Sequence, residues 1–242
     1  MWLNLSAIIK KLNWDPDVRA ILITAAGTKA FTAGLDVTAA SQGTLKKAEL
    51  DVARKARATR EHIIEFQDCI TDLERCGKPI VIAYHGISYG LGIDMGVACD
   101  IRIASKDVRL SVKEVDIGLA ADIGTLTRLP KVGCSLSWVK EVALTAREFG
   151  AEEALSVGYI SHIGADKAAT IKKGLEICQL IATKSPVAVY GTKEIINFSR
   201  DRPVDDGLKY TAIWNSGMIQ TSDVQRAMLS GLQKKKPTFE KL

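Results

Sequence analysis

The chain has 242 residues, 47% hydrophobic and 25% charged, enough for one compact domain with a substantial core and unlike a disordered segment. Its net charge of +5 suits an anionic ligand, but the basic residues are too scattered to argue for nucleic acid. No apolar run approaches the roughly 18 residues of a membrane span, and five cysteines are an odd number in a chain too large to need disulfide staples. Cys69, Cys76, Cys99, Cys134 and Cys178 therefore read as reduced core residues. Cys69 and Cys76 share the spacing of one buried helix face, and His62, His85 and His162 are dispersed, so no metal site is expected.

Residues 1–20, "MWLNLSAIIKKLNWDPDVRA", read as a helix, with Leu3, Ile8, Ile9 and Leu12 forming an apolar stripe. "AILITAAG" (20–27) reads as a buried strand ending in a turn, and "KAFTAGLDV" as a loop. Residues 44–76 are a long, highly charged helical stretch. Its later part places Ile63, Phe66, Ile70 and Leu73 on one face. "KPIVIAYHG" (78–86) is a second buried strand, and "GLGIDMGVACD" a glycine-rich turn entering a short helix. "IRIAS" and "RLSVKEV" are short strands. From Gly124 onward helices dominate: "LSWVKEVALT", "AEEALSVG", "KAATIKKGLEICQLIATK", "PVAVYGTKEIINFSR", "VDDGLKYTAIWNSGM" and "SDVQRAMLSGLQKKK". There is no internal repeat.

Two of these loops share a design: a strand, a turn of small residues, then a helix start. "AAGTKAFTAGLDV" and "AYHGISYGLGID" would each expose backbone N–H groups. Two such groups converging from separate loops make an oxyanion hole, favoured further by a helix N-terminus. Taken alone, either loop is better explained by glycines that merely permit tight packing. "GLGIDMG" also lacks the spacing of a dinucleotide site.

Three carboxyls follow in otherwise small and apolar surroundings. Asp94 comes directly after the second loop, Glu114 is read as the end of a strand, and Asp122 lies on a nearby loop. Carboxyls gathered in an apolar cleft have raised, coupled pKa values, which divides them into proton donors and acceptors. Asp100 and Asp116 read differently: Asp100 as a structural cap or ion-pair partner, Asp116 as facing away from the cleft.

At these residues the chain resembles the crotonase (enoyl-CoA hydratase/isomerase) superfamily, and within it the Δ3,5-Δ2,4-dienoyl-CoA isomerases. The superfamily likeness covers nearly the whole chain. "KEVDIGLAADIGTLTRLPK", "SPVAVYGTKEIINFSRD" and "WNSGMIQTSDV" carry the likeness to the subgroup. The resemblance implies an α/β fold, a spiral of ββα units followed by a C-terminal helical trimerisation region. It implies oxyanion N–H groups at Leu35 and Leu91, substrate contacts along Ala33, Gly34, Leu35, Asp36, Val37 and Leu91, and catalytic carboxyls at Asp94, Glu114 and Asp122. Leu91 stands where the family usually has glycine, so its side chain needs room and a glycine-like φ would strain it.

The implied substrate is a 3,5-dienoyl thioester of coenzyme A, isomerised to the 2,4-diene in unsaturated fatty acid β-oxidation. Asp122 would take a proton at C2, Glu114 would deliver one at C6, and Asp94 would orient Glu114. No cofactor is expected, because coenzyme A is part of the substrate. The expected assembly is a homotrimer or homohexamer with no nucleic-acid partner. Two alternatives stand beside this reading. An enoyl-CoA hydratase would use Asp94 and Glu114 around a water, but has no need of Asp122. A non-catalytic, RNA-associated binding protein would use the basic "KKKP" near the C-terminus.

The division expected is a crotonase core over 1–184 and a helical region over 185–242. Because the chain opens inside a helix, the core is expected to lack the strand pair and nucleotide-contacting loop that family members carry at the start. Weakened coenzyme A binding would follow. Glu240-Lys241-Leu242 resembles the S-K-L peroxisomal address except at its first residue, so a peroxisome is expected, with a mitochondrion as the alternative.

Overall fold

The computed structural model describes residues 1–34 and 51–242. It opens with α1 (Trp2–Trp14), which stops well short of residue 20. Pro16 disfavours helical backbone at Asp15, and Asp15 is extended (φ −77°, ψ 112°). Then come β1 (Ile21–Ile23), β2 (Ala30–Thr32) and α2 (Val52–Arg75). The Asp51 side chain caps α2 by accepting from the Arg54 N–H. The next unit is β3 (Ile80–Tyr84), β4 (Ile87–Tyr89) and α3 (Leu91–Ala98), and a third begins with β5 (Ile101–Ser105) and β6 (Arg109–Ser111).

A 3₁₀ turn over Glu114–Ile117 follows, then α4 (Thr125–Arg128), a 3₁₀ turn over Leu129–Lys131, and α5 (Leu136–Thr145). β7 (Phe149–Gly150), α6 (Ala151–Ser156), β8 (His162–Gly164) and α7 (Lys167–Ala182) complete the mixed part. The chain then runs through α8 (Pro186–Ser199), α9 (Val204–Met218) and α10 (Ser222–Leu232). The 184/185 position falls in the link between α7 and α8.

The strands sort themselves alternately. First strands of successive units build one sheet, ordered β1-β3-β5-β8, and second strands build another, ordered β2-β4-β6-β7. All pairs are parallel except β6 with β7. This is the expected spiral of ββα units. β3 explains the first sheet's position: Ile80, Val81, Ile82, Ala83 and Tyr84 are all buried, as a strand covered on both faces requires. The step from β3 to β4 is made by Gly86 at φ 52°; a Cβ there would lie 2.2 Å from the Lys29 carbonyl oxygen, so only glycine turns the chain between sheets.

The core joins α2, the two sheets and α3 through Ile70, Leu73, Ile82, Tyr84, Ile93, Leu110 and Tyr159, all buried. α1 is held on α2 by Trp2 stacked on Phe66 at 4.3 Å and by Asp72, which accepts from Ser6 at 2.5 Å and pairs with Lys10 at 3.0 Å. The five cysteines are free thiols. Among the described residues, no helix is long and apolar enough to cross a membrane.

Candidate active site

Helix α3 organises the site. Its N-terminus faces two loops and three carboxyls. Gly90 precedes it at φ 51°, ψ −106°, a conformation open only to glycine, and this turn delivers Leu91 as the first helical residue. The strain expected at Leu91 is therefore absent. Leu91 is not among the described residues with positive φ, and its side chain packs half-buried against the core. A helix's first N–H groups have no partner within the helix, and no described group accepts from the Leu91 N–H.

The first loop lies directly against the second. A Cβ at Gly34 would stand 3.5 Å from the Tyr89 carbonyl oxygen, and one at Gly90 would stand 3.7 Å from Gly34 Cα. Ala33 is exposed and Gly34 half-buried. Leu35, Asp36 and Val37, expected to supply the second oxyanion donor and substrate contacts, lie outside the described residues.

Glu114 does not end a strand. β6 stops at Ser111, and Glu114 opens the 3₁₀ turn that follows. The turn folds its carboxyl back beneath the second loop, where a Cβ on Gly90 would lie 2.9 Å from Glu114 Oε1. Glu114 Oε2 is buried with no hydrogen-bond partner among the described residues. Burial, more than any charge, pushes this carboxyl from its ordinary 4.5 up to about 7, and Asp94 and Asp122 add to the rise. At neutral pH it is divided between acid and carboxylate.

Asp94 sits in the first turn of α3 and is 2% exposed. It survives burial because Oδ1 accepts from the Thr125 N–H at 2.8 Å and the Thr125 hydroxyl at 2.7 Å. Burial raises its pKa, the Thr125 bonds oppose that, Asp122 adds to the rise and Arg128 lowers it. Asp122 is half-buried, and its backbone oxygen accepts from Gln67 Nε2 at 2.5 Å. Thus the three carboxyls lie within electrostatic reach of one another, beside the Leu91 N–H for which no described group accepts.

The two control aspartates lie elsewhere. Asp100 accepts from the Ile80 N–H at 2.7 Å and pairs with Lys193 at 2.8 Å. Asp116 is exposed and pairs with Lys113 at 3.0 Å. Among the described residues, no group of three or more His, Cys, Asp or Glu is placed to hold a metal ion.

A model of the enoyl-CoA hydratase/isomerase family matches residues 1–241. The chain belongs to the enoyl-CoA hydratase/isomerase family. It is 41% identical over 244 residues to the mitochondrial Δ(3,5)-Δ(2,4)-dienoyl-CoA isomerase of Rattus norvegicus, covering 100% of this chain and 74% of that protein. It is 39% identical over 235 residues to the peroxisomal Δ(3,5)-Δ(2,4)-dienoyl-CoA isomerase of Arabidopsis thaliana, covering 97% and 84%. Among solved structures, an enoyl-CoA hydratase from Bacillus anthracis superposes with a TM-score of 0.86 at 26% identity, over 99% of this chain and 88% of that one.

In this enoyl-CoA hydratase/isomerase family member, sequence reasoning missed three residues of the site. Thr125, which holds Asp94, lies 31 residues from it, and no local pattern announces the pair. Gln67 on α2 donates to the Asp122 backbone oxygen from 55 residues away in sequence. Gly90 was legible as a turn residue, but the special conformation was expected one position later, at Leu91.

Proposed function

We propose that this protein is a Δ3,5-Δ2,4-dienoyl-CoA isomerase acting on unsaturated fatty acyl thioesters of coenzyme A. The observation that carries this reading is the cluster of three carboxyls at one helix N-terminus, with Glu114 raised to about 7. The full-length likeness to named isomerases supports it.

In this mechanism the thioester carbonyl accepts from the Leu91 N–H and from Leu35. Asp122 removes a proton from C2, and the charge spreads as a dienolate onto the carbonyl oxygen. One oxyanion donor is worth about 2.7–4 kcal/mol in such a site. Protonated Glu114 then delivers a proton at C6, so the double bonds move from carbons 3 and 5 to carbons 2 and 4. Asp122 finishes protonated and Glu114 ionised, and proton exchange resets both. Asp94, fixed by Thr125, adds to the rise in the pKa of Glu114 and so favours its protonated form. Proton movement alone completes the reaction, so no cofactor is required.

Exposed Leu208, Ile213, Met228 and Leu232 on the C-terminal helices support assembly as a homotrimer or homohexamer. Relatives named mitochondrial and peroxisomal support residence in one of those organelles. The likeness of Glu240-Lys241-Leu242 to the S-K-L address, which departs from it at the first residue, supports the peroxisome over the mitochondrion.

The deciding experiment supplies purified protein with 3,5-dienoyl-CoA and, separately, 2-enoyl-CoA. The expected result is a gain in conjugated-dienoyl absorbance with the first. Hydration of the second should be at least 100-fold slower, about 2.7 kcal/mol of discrimination. Faster hydration than isomerisation replaces this reading with a hydratase.

A further inference from the structure

Helix α2 turns a polar ridge toward the segment that carries Asp122. Gln67, Thr71 and Glu74 follow one another at helical spacing on one face. Gln67 Nε2 donates to the Asp122 backbone oxygen at 2.5 Å. Thr71 Oγ1 donates to the Gln67 backbone oxygen at 2.6 Å and accepts from Arg128 Nη2 at 2.9 Å. Glu74 Oε2 accepts from Arg128 Nε at 2.9 Å and lies 2.9 Å from Nη2. The ridge thus grips both ends of one stretch, Asp122 at its start and Arg128 at its end.

Between those grips lie Asp122 and the donors to Asp94. Asp122 opens the stretch, and Thr125 supplies both hydrogen bonds to Asp94. Gly124 makes room for the guanidinium, since a Cβ there would lie 2.3 Å from Arg128 Nη1. The Arg128 and Glu74 side chains are only 12% and 16% exposed, so their pair is largely shielded from water. On its far side Glu74 meets Arg200, at the end of α8, at 2.5 Å.

We propose that Arg128, gripped by the Gln67–Thr71–Glu74 ridge, is a positioning residue that sets residues 122–125 and through them both Asp122 and the donors to Asp94. The proposal rests on the isomerase reading above. A planar guanidinium bonded through two nitrogens has a fixed orientation as well as a fixed place, and a lysine ammonium cannot reproduce this. The positive charge of Arg128 also acts on Asp94, opposing the effect of burial.

The test compares wild type with Arg128→Lys, Gln67→Leu and a control, Arg57→Ala, which removes an exposed ion pair on the far part of α2. Each is assayed with 3,5-dienoyl-CoA, with the C2 proton followed by exchange from deuterated solvent. Arg128→Lys should lower kcat about 10–100-fold, the scale of a misplaced reacting group. KM should stay within about 2-fold, since only transition-state contacts are lost. Exchange at C2 should slow in step. Gln67→Leu should lower kcat about 10-fold in the same pattern, and Arg57→Ala should match wild type. Should Arg128→Lys fail to fold, Gln67→Leu decides. Folded variants with wild-type kcat and exchange overturn the proposal while leaving the isomerase intact. A wild-type protein without dienoyl turnover overturns both.

Discussion

The two ends of helix α3 treat their polar groups in opposite ways. At the C-terminal end a cation answers the exposed carbonyls. Arg102 donates to the carbonyls of Gly96, Cys99 and Tyr159 at 3.1, 2.9 and 2.8 Å, and a guanidinium there also suits the helix dipole. Asp100, just beyond, is raised in pKa by burial, yet it has a backbone N–H and the Lys193 ammonium as partners. At the N-terminal end Glu114 is half-buried, its enclosed Oε2 has no hydrogen-bond partner among the described residues, and two further carboxyls, Asp94 and Asp122, act on it. Burial raises a carboxyl at both ends; only the pairing differs. A paired buried carboxyl is a staple between α8 and the core, whereas an unpaired one is a group whose proton is free to move.

The sharpest way to break this comparison is to remove the proton-transferring carboxyls from the unpaired end. Asp122→Asn and Glu114→Gln should each lower dienoyl isomerisation roughly 10²–10⁴-fold, as loss of a general base or acid does. Circular dichroism and acyl-CoA binding should remain those of wild type. Near wild-type turnover in either variant would erase the functional distinction between the two ends.

The paired end should respond in stability instead. Lys193→Met leaves Asp100 without its cation, and denaturant titration should show a loss of about 3 kcal/mol. Turnover per folded molecule should change little. Gly90→Ala combines both responses, because it places a methyl group against Glu114 Oε1 in a backbone conformation that excludes it. The expected loss is about 1–3 kcal/mol in unfolding free energy, with turnover lowered as well.

The smallest effect is a pH dependence. The folded-state pKa of Glu114, about 7, lies above the ordinary 4.5, so between these values the unfolded chain binds fewer protons than the folded one. This contribution to stability is intact below pH 4.5 and is lost as pH rises through about 7. Glu114→Gln has no such loss. Thermal melts should find it more stable than wild type above pH 7, with the gap closing toward pH 4.5. In wild type, turnover should fall as pH rises past about 7 and the acid at C6 disappears.

The sequence was legible where burial imposes a long pattern. The unbroken apolar run of β3 and the Phe66, Ile70 and Leu73 face of α2 needed no structure to be seen. β2, β4, β7 and β8 span only two or three residues, too short for a period to declare itself. The carboxyls were legible as charges in apolar surroundings, and resemblance assigned their roles. What holds them was not, because Thr125 and Gln67 act across long sequence separations. Glu114 read as a strand end since "RLSVKEV" alternates like a strand. The backbone leaves that path after Ser111, where the carboxyl must turn back toward Gly90.

The alternation of strands between the two sheets bears on how the chain reaches this state. Each parallel pair in either sheet joins segments separated by one or two strands of the other sheet, so neither sheet can be completed while the other waits. Ile21 must find Ile80, and Ala30 must find Ile87, across the same intervening stretch of chain. Such non-local pairing makes for slow collapse into a single cooperative unit. Cutting the chain between β4 and β5 would leave both sheets with an open edge at once, and the fragments should aggregate rather than fold as halves.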